Sequence, residues 1–358
     1  MILSVLPVRV GDSFLVRNGS FTALIDGGMN KTEIIRFLDE KQLNKKHISV
    51  VVCTHYDADH ITGILGVIRS RYTFDEIWLP EIYGSLSNTI LTNMAELVRY
   101  YHQRTPIEDD SDYSSLSQPP EYSVEEANAD RPDDTFERID SNLLDYYMSF
   151  LEHFWLWSPL CRTPTQGKMA GNLQKICTLV SQSLQSGSYI RWFKYEPTRV
   201  AREVHSGFYA ENSRQTSITV YTPLVFDQVL YLTTINKQSL VFRYAPRNLP
   251  NILFTADSDL SFLHAAPIQL EQYSVVTAPH HGSDENSAAY ERIKGKKLIF
   301  VRSDRSQKKR PGTGYLAQKK RYCTICKTNG PHKEIIVNFQ RNKTPSVKGT
   351  NCQCETSM

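Results

Sequence analysis

Apolar positions in the first hundred residues switch repeatedly between a period of two and a helical period. Residues 2–10, 13–17 and 21–25 are short β-prone runs, set apart by Gly11-Asp12 and Asn18-Gly19. Asp26-Gly27-Gly28 reads as a sharp turn, after which Ile34, Ile35 and Leu38 give residues 32–40 a helical spacing. The run I-S-V-V-V-C at 48–53 is continuously apolar, as expected of a strand buried on both faces. Helical spacing returns over 61–68, followed by a short strand at 76–79.

Beyond residue 100 the pattern changes. Residues 108–140 hold twelve acidic side chains against Arg131 and Arg138, with Pro119-Pro120 and several serines, which predicts an exposed, partly disordered loop. Helical spacing at 143–157 and 173–184 adds a helical cap. Strand patterns resume at 217–225, 239–243, 251–254, 274–276 and 297–301, and 284–294 predicts a helix with Asp284 as its N-cap. The chain therefore divides into a β-rich first half (1–100), an insertion of acidic loop plus helical cap (101–215), a second β-rich half (216–305) and a C-terminal extension (306–358).

Composition sharpens this only modestly. With 358 residues, 40% hydrophobic and 22% charged, the chain is long enough for one large domain or two smaller ones. A net charge of +3 excludes nothing about partners, so the distribution of charge matters more. No run has the length of a transmembrane helix, and the N-terminus lacks the basic and apolar regions of a secretory signal. Seven cysteines in such a chain fit a reducing cytoplasm, so a cytoplasmic protein without membrane attachment is expected.

The densest chemistry lies directly after the apolar run at 48–53. In T-H-Y-D-A-D-H, His55, Asp57, Asp59 and His60 fall within six residues. His55 and Asp57, two apart, can face one site, and the adjacent Asp59 and His60 a second. Imidazole and carboxylate suit Zn2+, Mn2+ or Fe2+ better than Ca2+. The bland alternative is a polar loop capping a helix from Ile61, with Asp59 as N-cap. Four candidate ligands in six residues at the end of a buried strand weigh against it.

This H-x-D-x-D-H motif resembles the H-x-H-x-D-H loop of the metallo-β-lactamase superfamily. Its Asp57 and the following Ile61-Thr62-Gly63 resemble the hydrolase domain of the ComEC competence proteins and their stand-alone relatives. Further elements occur in the family's order: Gly11-Asp12-Ser13, Leu24-Ile25-Asp26-Gly27-Gly28, Asn236 to Val241, Phe254-Thr255-Ala256-Asp257 and Pro279-His280-His281-Gly282-Ser283, with Ala256 where relatives carry Gly. The resemblance implies an α/β fold, an αββα metallo-β-lactamase sandwich interrupted by the insertion and followed by the basic extension.

It also implies roles. His55 and Asp57 bind one divalent ion, Asp59 and His60 a second, Asp257 bridges them, and one of His280 or His281 completes the first site. The middle histidine of many relatives has no counterpart, since His102, His153 and His205 lie in or beside the insertion. Two such ions lower the pKa of a bridging water and stabilise charge on a phosphoryl oxygen. Asp59 is the expected catalytic residue, orienting the attacking hydroxide. A carboxylate at 57 tilts the site towards Mn2+ or Mg2+, without excluding Zn2+.

Charge then bears on the substrate. Residues 294–348 hold sixteen Lys and Arg against Asp304 and Glu334, a pattern suited to phosphate contacts. A solvated surface balanced by the acidic insertion is the plainer alternative. Lys309 and Arg310 are candidate phosphate contacts, and Ser283 a candidate substrate contact. Cys323-x-x-Cys326, with Cys352-x-Cys354 and His332 nearby in sequence, form a candidate structural zinc site. The expected function is a metal-dependent phosphodiesterase, most specifically a nuclease on DNA or RNA. The alternatives are a small-molecule metallohydrolase acting on nucleotides or cyclic nucleotides, and an effector subunit controlled by a protein partner, such as an ATPase or another subunit of a bacterial defence system.

Overall fold

The computed structural model describes residues 1–84, 87, 164–197, 201–216, 238–263, 266–305, 310–326, 332–341 and 343–354. The acidic stretch at 108–140, the helix expected at 143–157, the strand expected at 217–225, Lys309, His102 and His153 lie outside these residues.

Three short strands, β1 (Ile2–Val5), β2 (Phe14–Asn18) and β3 (Phe21–Ile25), form an antiparallel meander. β4 (His47–Val52), β5 (Thr73–Pro80) and β6 (Tyr189–Tyr195) then add in parallel, each reached through a helix: α1 (Lys31–Glu40), α2 (Ala58–Ile68) and α3 (Pro164–Gln185). β9 (Ser213–Thr216) closes that edge, while β17 (Ile335–Asn338) and β18 (Ser346–Lys348) extend the other edge beyond β1. The result is a sheet of nine strands among the described residues.

Among the described residues the second sheet has seven strands, in the order β16 (Arg321–Cys323), β15 (Ile299–Arg302), β13 (Val275–Thr277), β11 (Ile252–Phe254), β10 (Phe242–Tyr244), β8 (Phe208–Ala210) and β7 (Arg202–His205). A small parallel pair, β12 (Ile268–Gln269) and β14 (Ile293–Lys294), lies outside both.

Alternation along the strands builds three apolar layers. Val50 and Val52 of β4 join Leu3, Phe14 and Trp78 in a core shared with Phe208, Phe242, Phe254 and Val301 of the second sheet. Val51 and Cys53 face the opposite way, against Ile34, Leu38, Ile61 and Ile64 of α1 and α2. Both faces of β4 are thus buried, as its unbroken apolar run predicts. A third layer, with Val276, Ala289 and Tyr315, covers the outer face of the second sheet. The expected α/β sandwich of two sheets between outer layers is what forms.

Helix α1 begins at Asn30, whose Oδ1 accepts from the backbone N–H of Thr32 and Glu33 at 2.9 and 3.1 Å. The segment 284–294 departs from expectation. It is a 3-10 stretch (Asp284–Arg292) running into β14, and its N-cap is Ser283, whose Oγ accepts from the Glu285 N–H. Asp284 instead binds the start of α4 (Thr313–Leu316), accepting from the Thr313 N–H at 2.9 Å. A carboxylate committed to that neighbouring turn is no longer available to cap its own.

The sheets also reach across the segments expected to be insertion and extension. β6 to β9 fall within 189–216, and β16 to β18 within 321–348. Among the described residues, no helix is long and apolar enough to cross a membrane.

Candidate metal centre

The candidate residues sit in loops that follow strands of both sheets and, for Asp59 and His60, in the first turn of α2. Asp26 follows β3, residues 53–57 follow β4, Asp257 follows β11, His280 and His281 follow β13, and Asp12 precedes β2. Two close backbone approaches hold the first sheet's loops together. A Cβ on Gly63 of α2 would lie 1.9 Å from the Gly27 carbonyl oxygen, and one on Gly11 (φ +95°) would lie 1.7 Å from that of Asp59. Only glycine fits at either position.

Four side-chain atoms converge at the base of the site. His60 Nε2 lies 3.2 Å from His281 Nε2 and 3.3 Å from Asp257 Oδ1. His281 Nε2 lies 3.2 Å from Asp257 Oδ1 and 3.3 Å from Asp59 Oδ2. Ligand bonds of about 2.0–2.1 Å in a tetrahedron place neighbouring donor atoms about 3.3–3.4 Å apart. Two imidazole nitrogens at this separation cannot both donate to each other, whereas a shared cation would satisfy both lone pairs.

The other oxygen of Asp257 faces a different set. Its Oδ2 is 3.5 Å from His55 Nε2 and 3.4 Å from His280 Nε2. His55, Asp57 and Asp257 each offer a ligand atom within 4.8 Å of the others. The histidine expected to complete the His55 and Asp57 side therefore divides differently: His281 lies with Asp59 and His60. His280 lies towards His55, where it accepts from Arg310 Nη2 at 2.7 Å. The left-handed backbone of both histidines (φ 47° and 54°) turns successive rings to different sides.

The residues fit divalent ions. His55 Nε2 and Asp257 Oδ1 are buried and have no hydrogen-bond partner. The opposite nitrogen of each ring faces a polar neighbour, by a hydrogen bond in His55, His60 and His280 and by an ion-pair contact in His281. His60 Nδ1 meets Asp26 Oδ2 at 2.8 Å, His281 Nδ1 is 3.1 Å from Asp12 Oδ1, His55 Nδ1 meets Thr54 Oγ1 at 3.0 Å, and His280 Nδ1 meets Asn286 Oδ1 at 3.3 Å. The Asp26 carboxylate behind His60 fixes the tautomer that leaves Nε2 as the donor, and Asp12 lies behind His281 in the same sense.

Asp12 and Asp26 have no site role in the sequence reading, although both fall in its quoted motifs. Asp12 belongs to the same cluster, but its contact is to the far nitrogen of His281, so it orients that ring. Ser303 Oγ donates to Asp12 at 2.8 Å. Asp26 accepts from the Thr54 N–H and hydroxyl at 2.9 and 2.7 Å. A carboxylate closing an apolar run such as F-T-A-L-I-D-G-G can be buried only if paired, which is the signal that marks it.

The electrostatics follow from this packing. Burial pushes the Asp257 carboxyl up, but His281, His60 and His55 outweigh it and hold it well below the usual range. Burial likewise opposes Asp59, and its hydrogen bond to His281 and the charge of His60 lower it. His280 moves the other way, lowered by burial and by the positive charges of His281 and Arg310.

Of the remaining candidates, Arg310 reaches the rim and also lies 3.5 Å from Asp304. Ser283 is buried and engaged in its own turn. His205 lies in β7, 3.7 Å from Glu76, away from the centre. The four cysteines come together elsewhere. Beside His55 a cavity of ≈ 220 Å³ is lined by Tyr56, Tyr83, Phe193, Lys194 and Tyr195.

Carboxylates and imidazoles from both sheets thus form one cluster at the loop edge of the sandwich. Residues 6–136 match the metallo-beta-lactamase superfamily model, a span that includes the H-x-D-x-D-H loop and ends before Asp257. Among solved structures, the chain is similar to human tRNase Z, short form, at 11% identity and TM-score 0.39, covering 94% of this chain and 98% of that one. It is also similar to the metallo-beta-lactamase fold protein YhfI from Bacillus subtilis, at 10% identity and TM-score 0.31, covering 84% and 97%. No curated protein matches the chain.

Proposed function

We propose that the chain is a metal-dependent phosphodiester hydrolase, and specifically a nuclease acting on DNA or RNA. The observation that carries this reading is Asp257, whose two oxygens face two separate donor groups. Asp59, His60, His281 and Asp257 would hold one ion, and His55, Asp57 and Asp257 the other. Ions bound there supply Lewis acidity, polarising a phosphoryl oxygen and lowering the pKa of water.

The protein's own groups do the rest. Two divalent charges against the carboxylates of Asp12, Asp26, Asp57, Asp59 and Asp257 leave no positive surplus, so attraction of an anionic substrate falls to direct metal coordination and to Arg310. Asp59 retains partial exposure, at 19% of its side chain, and its lowered pKa keeps it an acceptor that can orient the attacking water. Arg310, at the rim beside His280, presents N–H groups suited to a phosphate oxygen. Tyr56, Phe193 and Tyr195, with Lys194, make the adjacent cavity a place where a base can stack beside a phosphate. The basic residues of 294–348 support a polyanion over a single nucleotide.

The test is to incubate purified protein with plasmid, single-stranded DNA, RNA and cyclic nucleotides, each with Mn2+, Mg2+, Zn2+ or EDTA. Metal-dependent cleavage of a polynucleotide is expected. Cleavage of cyclic nucleotides alone selects the small-molecule alternative, and no polynucleotide cleavage under any metal sinks the nuclease reading.

A further inference from the structure

We propose that Cys323, Cys326, Cys352 and Cys354 bind one structural zinc ion as a tetrathiolate, apart from the hydrolytic centre, and that this site braces the loop carrying His281. The four sulfurs lie within 4.8 Å of one another, and none is in a disulfide. Backbone pairing brings the two cysteine pairs together across the tail. Cys323 ends β16, the Cys352 N–H donates to the Arg321 carbonyl at 2.9 Å, and Tyr322 bridges to Asn351. Four sulfur donors with no carboxylate select zinc over manganese or magnesium. His332, the fifth residue of the sequence pattern, is exposed and not in the cluster.

The plainer reading is four reduced thiols packed as small hydrophobes. Arg302 argues against it. This arginine is 0% exposed, and its Nε and Nη2 have no hydrogen-bond acceptor. It pairs with Cys323 in the register of β15 and β16, which sets the two side chains next to each other. A buried cation needs anionic compensation. Asp304, the carboxylate beside it, is shared with Arg310 at 3.5 Å, and neutral thiols add no further negative charge. Zinc binding breaks four S–H bonds, forms four Zn–S bonds and releases four protons to solvent, leaving a cluster of net charge −2 against the guanidinium.

The same arginine links the cluster to the centre. Its Nη1 donates to the His281 carbonyl at 3.5 Å and to that of Arg305 at 3.2 Å. A Cβ on Gly282 would touch the Arg302 Cδ at 3.3 Å, and the Gly312 N–H donates to the Gly282 carbonyl at 2.7 Å. Anchoring Arg302 from behind therefore steadies the turn that presents His281.

The experiment counts zinc, so its outcome is independent of whether the chain cleaves nucleic acid. Full-length Asp257→Ala protein, in which the hydrolytic centre is disabled, is purified and its zinc measured by elemental analysis before and after titration with a mercurial. One zinc per chain, released in step with mercurial addition and absent from a Cys352→Ser/Cys354→Ser variant, is expected. Should that variant fail to fold, the Co2+-loaded wild-type chain is read for intense thiolate-to-cobalt charge transfer. Amide hydrogen exchange at 279–283 should quicken when the mercurial removes the zinc. No bound zinc in Asp257→Ala, zinc indifferent to mercurial, or a cobalt spectrum without thiolate bands overturns the site. Unchanged exchange at 279–283 overturns the bracing role.

Discussion

Exchanging Asp26 for asparagine changes one atom and tests how the site is built. Asp26 is buried, and its two oxygens hold His60 Nδ1 at 2.8 Å and the Thr54 N–H and hydroxyl at 2.9 and 2.7 Å. Its backbone is left-handed (φ 56°), a conformation asparagine tolerates, so the turn survives. In the variant the amide oxygen can still accept from the Thr54 N–H, which leaves the amide N–H2 facing His60. His60 Nδ1 must then accept, its proton moves to Nε2, and the lone pair that would bind metal is lost. Removing such a supporting carboxylate costs about 10- to 100-fold in metal affinity, or about 1.4–2.7 kcal/mol. Calorimetric titration of Mn2+ into metal-free protein measures the loss, with thermal unfolding as a check on the fold. An Asp26→Asn affinity within twofold of wild type, with the fold intact, would refute the claim that Asp26 sets the His60 tautomer.

Other consequences are equally open to measurement. Arg310→Ala should raise KM for a polynucleotide about tenfold or more while metal affinity stays unchanged, consistent with a lost charge-assisted contact of about 1.5–3 kcal/mol; unchanged steady-state kinetics would remove Arg310 from the substrate path. Gly63→Ala forces a methyl against the Gly27 carbonyl and should cost about 1–3 kcal/mol or more in urea unfolding. Trp78→Ala empties a fully buried site among Phe193, Phe208 and Phe242 between the two sheets, and should destabilise the chain by about 3–5 kcal/mol. A loss below about 1 kcal/mol would mean this part of the core repacks freely.

Much of the first half was legible because its order is local. β2 to β5 and the two helices between them follow one another in sequence, and their apolar periods announce them. The H-x-D-x-D-H loop was legible for the same reason, its ligands lying within six residues. What the sequence hid is long-range. The pairing of β17 with β1 joins Val337 to Leu3, and nothing local in I-I-V-N names that partner. The assignment of His281 to Asp59 and His60 depends on how the backbone turns at 280 and 281, which residue identity does not reveal. Asp12 and Asp26 escaped for a related reason: their function is to hold another ring, so their meaning appears only with His281 and His60 in place. Arg302 illustrates the same limit, being counted in a basic strip yet buried behind the centre.

The two-metal reading of Asp257 is tested most directly by an anomalous diffraction map from crystals of the chain soaked in Mn2+. Two peaks flanking Asp257 are expected, one among Asp59, His60 and His281 and the other beside His55 and Asp57. Both should vanish in Asp257→Ala. A map with no peak at Asp257, or with manganese bound only elsewhere on the surface, would contradict it.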